Sequence, residues 1–179
     1  DMPVTECIID IGANIGEFGL FWKLKDFSVY AFEPDVIEYD VLVKNLTGES
    51  IHNVGLWNSS TTLTFYSAND SGDSSLIRPE TFKNSVQLEV KKLDDIEIPK
   101  AIGLLKIEAE GAEPEILEGS INSLTKTRYV TVDVGEERGE SKESTLVSVC
   151  NIMFANGFEL MDFNPNRLVV IFKNSMISD

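Results

Sequence analysis

The chain has little of what most metal and nucleophile chemistry is built from. Its 179 residues include two cysteines, Cys7 and Cys150, and one histidine, His52. Neither cysteine has the neighbours that metal-ligand spacing requires. One leads into an apolar strand and the other lies on a helix face, where small buried thiols are common. A lone histidine inside a strand is more often structural than catalytic. Cations are scarce as well: 15 Lys and Arg stand against 30 Asp and Glu, a formal net charge of −15. That balance excludes a surface for nucleic-acid backbone, which needs clustered Lys and Arg, and it disfavours an anionic membrane surface. No apolar run approaches the roughly 20 residues of a membrane span. No secretory leader is visible before the first apolar strand, so a cytoplasmic location is expected.

What is present reads as an ordinary globular protein, with 42% hydrophobic and 25% charged residues. The length suits one domain over 1–179 with a sizeable core. Asn45-Leu46-Thr47, Asn58-Ser59-Ser60 and Asn69-Asp70-Ser71 match the glycosylation triplet, a pattern that arises readily by chance where Ser and Thr are frequent, and they are read as accidental.

The chain is organised around Ile8-Ile9-Asp10-Ile11-Gly12-Ala13-Asn14-Ile15-Gly16-Glu17-Phe18. β-Branched residues lead into an acid, a Gly-x-Asn-x-Gly turn follows, and Ile15, Phe18 and Trp22 then mark one helical face. Gly12 and Gly16 admit backbone close to a ligand, and the helix start offers free N–H groups. A dinucleotide loop has glycine where this chain has Asp10, and a carboxylate there would repel a pyrophosphate. It suits an ammonium. The ligand that fits has an amino-acid end and a nucleoside, which is S-adenosylmethionine (SAM).

Ser28 to Phe32 is a second strand ending in Glu33-Pro34-Asp35. An acid about 20 residues beyond the glycine loop is placed to take both ribose hydroxyls. Pro34 stops the strand and starts a helix from Ile37 to Leu46. Ile51 to Leu56 reads as the third strand, with Asn53 and Val54 beside the adenine. Thr61–Tyr66 and Val86–Val90 alternate as an accessory antiparallel pair. The polar loop Asn69 to Ser75 between them is a candidate lid.

Gly103 to Gly111 reads as a strand ending in the acids Glu108 and Glu110, and Ala112 to Leu124 as a helix with Leu117, Ile121 and Leu124 in line. Tyr129 to Val134 is another buried strand. A helix with Leu146, Val149, Cys150 and Met153 on one face ends at Asn156-Gly157, and Phe158–Phe163 with Arg167–Lys173 forms a hairpin. Such alternation predicts a parallel sheet covered by helices on both faces, with ligand at the carboxyl ends of the strands. Asp10, Glu33, Glu108 and Asp133 fall at or near those ends.

Three segments carry a resemblance: Asp10-Ile11-Gly12-Ala13-Asn14-Ile15-Gly16, Phe32-Glu33-Pro34, and Leu93-Asp94-Asp95 followed by Lys106-Ile107-Glu108-Ala109-Glu110-Gly111-Ala112-Glu113. They resemble the FkbM family of SAM-dependent methyltransferases over nearly the whole chain. The last block is the most specific. The resemblance implies a class I Rossmann-like α/β/α fold, a seven-stranded sheet of order 3-2-1-4-5-7-6, and methyl transfer to oxygen on a sugar, glycan or polyketide-like hydroxyl. It implies that Asp10, Gly12, Ala13, Asn14 and Gly16 surround the methionine end, and Glu33 with Pro34 the ribose. Ser75, Glu113 and Arg138 are then expected on the substrate side. Glu108 replaces the aspartate usual at its position, and Gly135-Glu136-Glu137-Arg138-Gly139 also differs from the common form.

A sugar hydroxyl is a weak acid, so a general base helps its methylation. Glu108 and Glu110 are the candidates, on one face of the strand end if it stays extended. The pair equally suits a divalent cation, and Glu110 alone suits a loop anchor held by backbone N–H groups. A SAM-binding module without catalysis is the competing reading from another class. A nicotinamide oxidoreductase is a third, disfavoured by Asp10.

Overall fold

The computed structural model describes residues 2–67, 74–98 and 100–177. In chain order its elements are β1 (Cys7–Ile11), α1 (Glu17–Lys23), β2 (Ser28–Phe32), α2 (Val36–Asn45), β3 (Ser50–His52), β4 (Gly55–Leu56), β5 (Thr61–Ser67), β6 (Asn84–Lys91) and, after a 3₁₀ turn at Leu93–Asp95, β7 (Ile102–Ile107). There follow α3 (Glu113–Glu118), α4 (Ile121–Leu124), β8 (Thr127–Asp133), β9 (Glu136–Arg138), β10 (Glu143–Ser144), α5 (Leu146–Ala155), β11 (Phe158–Asn164) and β12 (Val169–Asn174). The main sheet runs β3-β2-β1-β7-β8-β12-β11. The strands from β3 to β8 are parallel, and β12 returns antiparallel between β8 and β11. This is the order 3-2-1-4-5-7-6 and the Rossmann-like class I methyltransferase fold.

β1 lies at the centre and is buried at every residue, as a parallel strand covered on both faces must be. Alternation sorts its side chains. Cys7, Ile9 and Ile11 enter one core with Leu105, Ile107, Leu117 and Val149, whereas Ile8 joins Val29, Ala31, Leu42 and Leu46 in the core on the other side. Asp10 shares the face of Ile8. So does Lys106 with Leu104 on β7, and the parallel register sets Asp10 opposite Lys106. Emptying either core costs stability: truncating a buried leucine such as Leu42 or Leu46 to alanine costs roughly 2–5 kcal/mol.

Four sequence expectations change. The stretch 51–56 is two strands, because β3 ends at His52 and β4 leaves the main sheet to pair with β6. The accessory unit is therefore a three-stranded sheet, β4-β6-β5. The helix expected over 112–124 breaks into α3 and α4. The break falls at Gly119 and Ser120, and a Cβ at Gly119 would stand 2.0 Å from the Trp57 carbonyl oxygen, so the residue there must be glycine. Finally, β7 stops at Ile107, and Glu108 and Glu110 lie beyond it. The expected lid segment 69–73 lies outside the described residues; Ser75 bridges to Tyr66 beside it.

Two polar links tie distant parts together. At the amino-terminal end of the sheet, the buried Glu6 carboxylate takes hydrogen bonds from Arg128 Nε at 3.1 Å and Nη2 at 2.6 Å. Asp94 accepts from the Asn122 and Ser123 amides at the start of α4. No helix among the described residues is long and apolar enough to cross a membrane.

Candidate active site

A cavity of about 440 Å³ opens at the carboxyl ends of β1, β2 and β7, lined by the glycine loop, Glu33, Val54, Ser75 and the segment after β7. The glycine loop is built inward. Gly12 and Ala13 both donate to the Phe32 carbonyl, at 3.1 and 3.0 Å, and Gly16 donates to Ala13 at 2.8 Å. The Asn14 amide donates to Glu33 Oε2 at 2.7 Å, and that of Ile15 to the Asn14 side chain at 2.7 Å. Every amide from 12 to 16 is thus taken. The loop itself therefore has no amide left to cradle a phosphate.

Gly12 is required for a reason the sequence did not reveal. Its φ is +67°, and a Cβ there would lie 1.8 Å from the Glu108 carbonyl oxygen. The close approach is to the chain after β7. Gly16, at φ +91°, packs over Leu42 and Leu46 and does not line the cavity.

Glu33 follows β2, is 4% exposed and lines the cavity. Besides the Asn14 amide on Oε2, Oε1 accepts from the Asp35 amide at 2.8 Å. A carboxylate has about four lone-pair sites, so acceptor capacity remains on both oxygens. Burial raises its pKa to about 7 against the opposing pull of these two N–H groups. Asn53 stands behind it, donating to the Glu33 and Pro34 carbonyls at 2.8 and 3.1 Å. Pro34 and Val54 line the cavity and Asn53 does not. His52 stacks on Phe32 at 4.8 Å and bonds Ser50, the structural role expected of it.

Asp10 is fully buried and does not reach the cavity. Its neighbour is Lys106, whose Nζ lies 3.2 Å from Oδ1. The Lys106 ammonium and the Gly19 backbone N–H are the groups that stabilise its charge. Burial raises the Asp10 pKa and Lys106 opposes it. The ammonium also donates to Gly12 O at 2.7 Å and meets Glu108 Oε2 at 3.0 Å. Burial works against its charge, but Asp10 and Glu108 outweigh it and lift the Lys106 pKa. Lys106 is the residue sequence reasoning passed over. Its signal was a lysine between Leu105 and Ile107 in an otherwise apolar parallel strand.

Glu108 is exposed and lines the cavity beside Lys106. Glu110 also lines it, but φ there is +51°, so the backbone has turned and the two acids do not share a strand face. The loop anchor is Glu113, which accepts from the Ala109 and Gly111 amides at 3.0 and 3.1 Å. At 1% exposure it lies behind the loop and away from the cavity, with burial raising its pKa to about 7. Arg138, expected at the substrate, instead clamps the same loop from outside through a bidentate pair with Glu115 and a bond to Gly111 O. Ser75 does line the cavity; its hydroxyl donates to Glu110 O at 2.7 Å. Among the described residues, no three His, Cys, Asp or Glu side chains converge as metal ligands.

The fold and the family both have counterparts. A methyltransferase FkbM from Methylobacillus flagellatus KT superposes with a TM-score of 0.64 at 20% identity, over 95% of this chain and 44% of that one. The SAM-bound magnesium protoporphyrin IX methyltransferase of Synechocystis PCC 6803 superposes at 0.56 and 8% identity, over 96% and 72%. In sequence, methyltransferase sdnD of Sordaria araneosa is 32% identical over 66% of this chain and 62% of its own length. The hexuronic acid methyltransferase AglP of Haloferax volcanii is 31% identical over 70% and 54%. The chain thus spans less than two thirds of these curated relatives. Residues 10–160 match the methyltransferase FkbM domain, and the chain belongs to that family.

Proposed function

We propose that the chain is an S-adenosylmethionine-dependent O-methyltransferase acting on a hydroxyl of a sugar, glycan or polyketide-like small molecule. The observation that carries this reading is the charge pattern of the cavity. Glu17, Glu33, Glu38, Glu108 and Glu110 line it, with Lys106 the one lining cation among the described residues. Such a site favours a ligand bearing a sulfonium and an ammonium. It repels a pyrophosphate, and the glycine loop has no amide left to bind one, which argues against a nicotinamide cofactor more directly than Asp10 does. The donor set fits SAM: Glu33 keeps lone pairs for ribose hydroxyls, and Pro34, Val54 and Phe32 supply an apolar wall for a nucleobase. The hexuronic acid methyltransferase among the relatives supports a sugar acceptor.

When bound, SAM supplies a methyl group already activated on sulfur. The chain's own residues then align an acceptor and receive a proton. Glu108 is the acid suited to take the acceptor's hydroxyl proton, because it is exposed and lines the cavity, and a cofactor carboxylate on Lys106 releases it from the ion pair of the ligand-free chain. Asp10 acts through Lys106 and does not touch ligand. Glu113 and Arg138 are positioning residues for the loop 108–112, and Glu110 and Ser75 shape its cavity side. Incubation with methyl-labelled SAM and a panel of glycosides tests the reading. Labelled methyl ether and S-adenosylhomocysteine are expected in step. Tight SAM binding without turnover on any glycoside would favour a binding module.

A further inference from the structure

Lys106 is a cation built into a place that costs energy, and the construction points outward. Its side chain is 11% exposed and rises from the interior of β7. From the protein side it is held by Asp10 Oδ1 at 3.2 Å, Gly12 O at 2.7 Å and Ile11 O at 3.4 Å. Asp10 is fully buried and does not line the cavity; its carboxylate faces the ammonium at 3.2 Å. On the cavity side the ammonium already takes a carboxylate, that of Glu108 at 3.0 Å. The remaining charged side chains on the cavity wall are all acidic.

We propose that Lys106 is the receptor for the α-carboxylate of the cofactor's amino-acid end. The inference rests on the SAM reading above. A free carboxylate entering this cavity meets repulsion from Glu17, Glu33, Glu38, Glu108 and Glu110, and among the described residues its one lining countercharge is Lys106. It binds the cavity side of the ammonium, where Glu108 sits in the ligand-free chain. Charge-assisted hydrogen bonds of this kind are short and strong, and they select a carboxylate over the uncharged groups that replace it.

The test compares ligands that differ at that end only, by calorimetry on the full chain. S-Adenosylhomocysteine carries the α-carboxylate; its α-carboxamide and 5′-methylthioadenosine do not. The wild-type protein is expected to bind the carboxamide roughly 10- to 100-fold more weakly than the acid, the range of a hydrogen bond to a charged group. In the variant Asp10→Asn/Lys106→Gln, which leaves no buried carboxylate stranded, affinity for S-adenosylhomocysteine is expected to fall by a similar factor. Affinity for 5′-methylthioadenosine should stay within about twofold. Equal wild-type affinity for acid and carboxamide would overturn the assignment. So would a variant that loses both ligands together, or neither. A wild-type protein that binds none of these nucleosides overturns the SAM reading itself, which is a different result.

Discussion

At the scale of single residues, the site depends on atoms that leave no room for alternatives. Gly12→Ala would drive a methyl group into the Glu108 carbonyl oxygen, at 1.8 Å from an ideal Cβ, on a backbone with φ +67°. The expected outcome is a loss of roughly 1–3 kcal/mol of stability in urea unfolding, the usual cost of overpacking. Unchanged stability would mean that the loop and the end of β7 are not in contact. Glu33→Gln replaces an acceptor-only group by one with an NH₂ that faces the Asn14 or Asp35 amide. SAM affinity should fall by about 1.5–3 kcal/mol in calorimetry. A further signature is pH. Because Glu33 ionises near 7 in the ligand-free chain, and the ionised form accepts ribose hydroxyls, wild-type affinity should rise between pH 6 and 8 and that of the variant should not. Glu108→Gln should lower kcat by about 10²–10⁴-fold, the contribution of a general base, without loss of stability from an exposed position.

At the scale of elements, the segment after β7 explains which parts of the site were legible. The strand-loop-helix beginning at Ile8 and the acid at the end of β2 announce themselves by alternation and glycine spacing, and both lie where expected. The roles of Glu108, Glu110 and Glu113 were not readable in the same way. Period-2 reasoning assumes an extended chain, and the positive φ of Glu110 and Gly111 breaks the period just where it was needed. The anchor role considered for Glu110 belongs to Glu113, three residues on, because the turn brings its carboxylate under the Ala109 and Gly111 amides. Glu113→Ala strands those two N–H groups and should cost roughly 1–3 kcal/mol, read by thermal unfolding. Arg138 was misread for a related reason. Its partner is Glu115 in the first turn of α3, and the bidentate pair uses both oxygens of that carboxylate, a contact no local pattern encodes.

At the scale of the whole molecule, the parallel sheet followed from the alternation of elements and its strand order from the family resemblance, while the three-stranded insertion followed from neither. β4 is two residues long, and its pairing with β6 is a long-range contact that no local pattern encodes. The chain's stability should carry the mark of two of its buried carboxyls. Glu33 and Glu113 ionise near 7 when folded, against 4.5 for the ordinary group. The folded state therefore holds more protons than the unfolded one between those values, and stability falls as pH rises through that window, by at most about 1.4 kcal/mol per pH unit for each group. Self-repulsion from a net charge of −15 acts in the same direction. The melting temperature of the ligand-free protein should be higher at pH 5.5 than at pH 8, and Glu113→Gln should flatten the difference. The central claim is that the cavity between the glycine loop, Glu33 and Glu108 is a SAM site. Calorimetric titration at pH 8 with SAM and, separately, NAD tests it most directly. One SAM per chain, weakened by Glu33→Gln, with no heat from NAD, is the result the account predicts; no binding of SAM, or binding of NAD in its place, would contradict it.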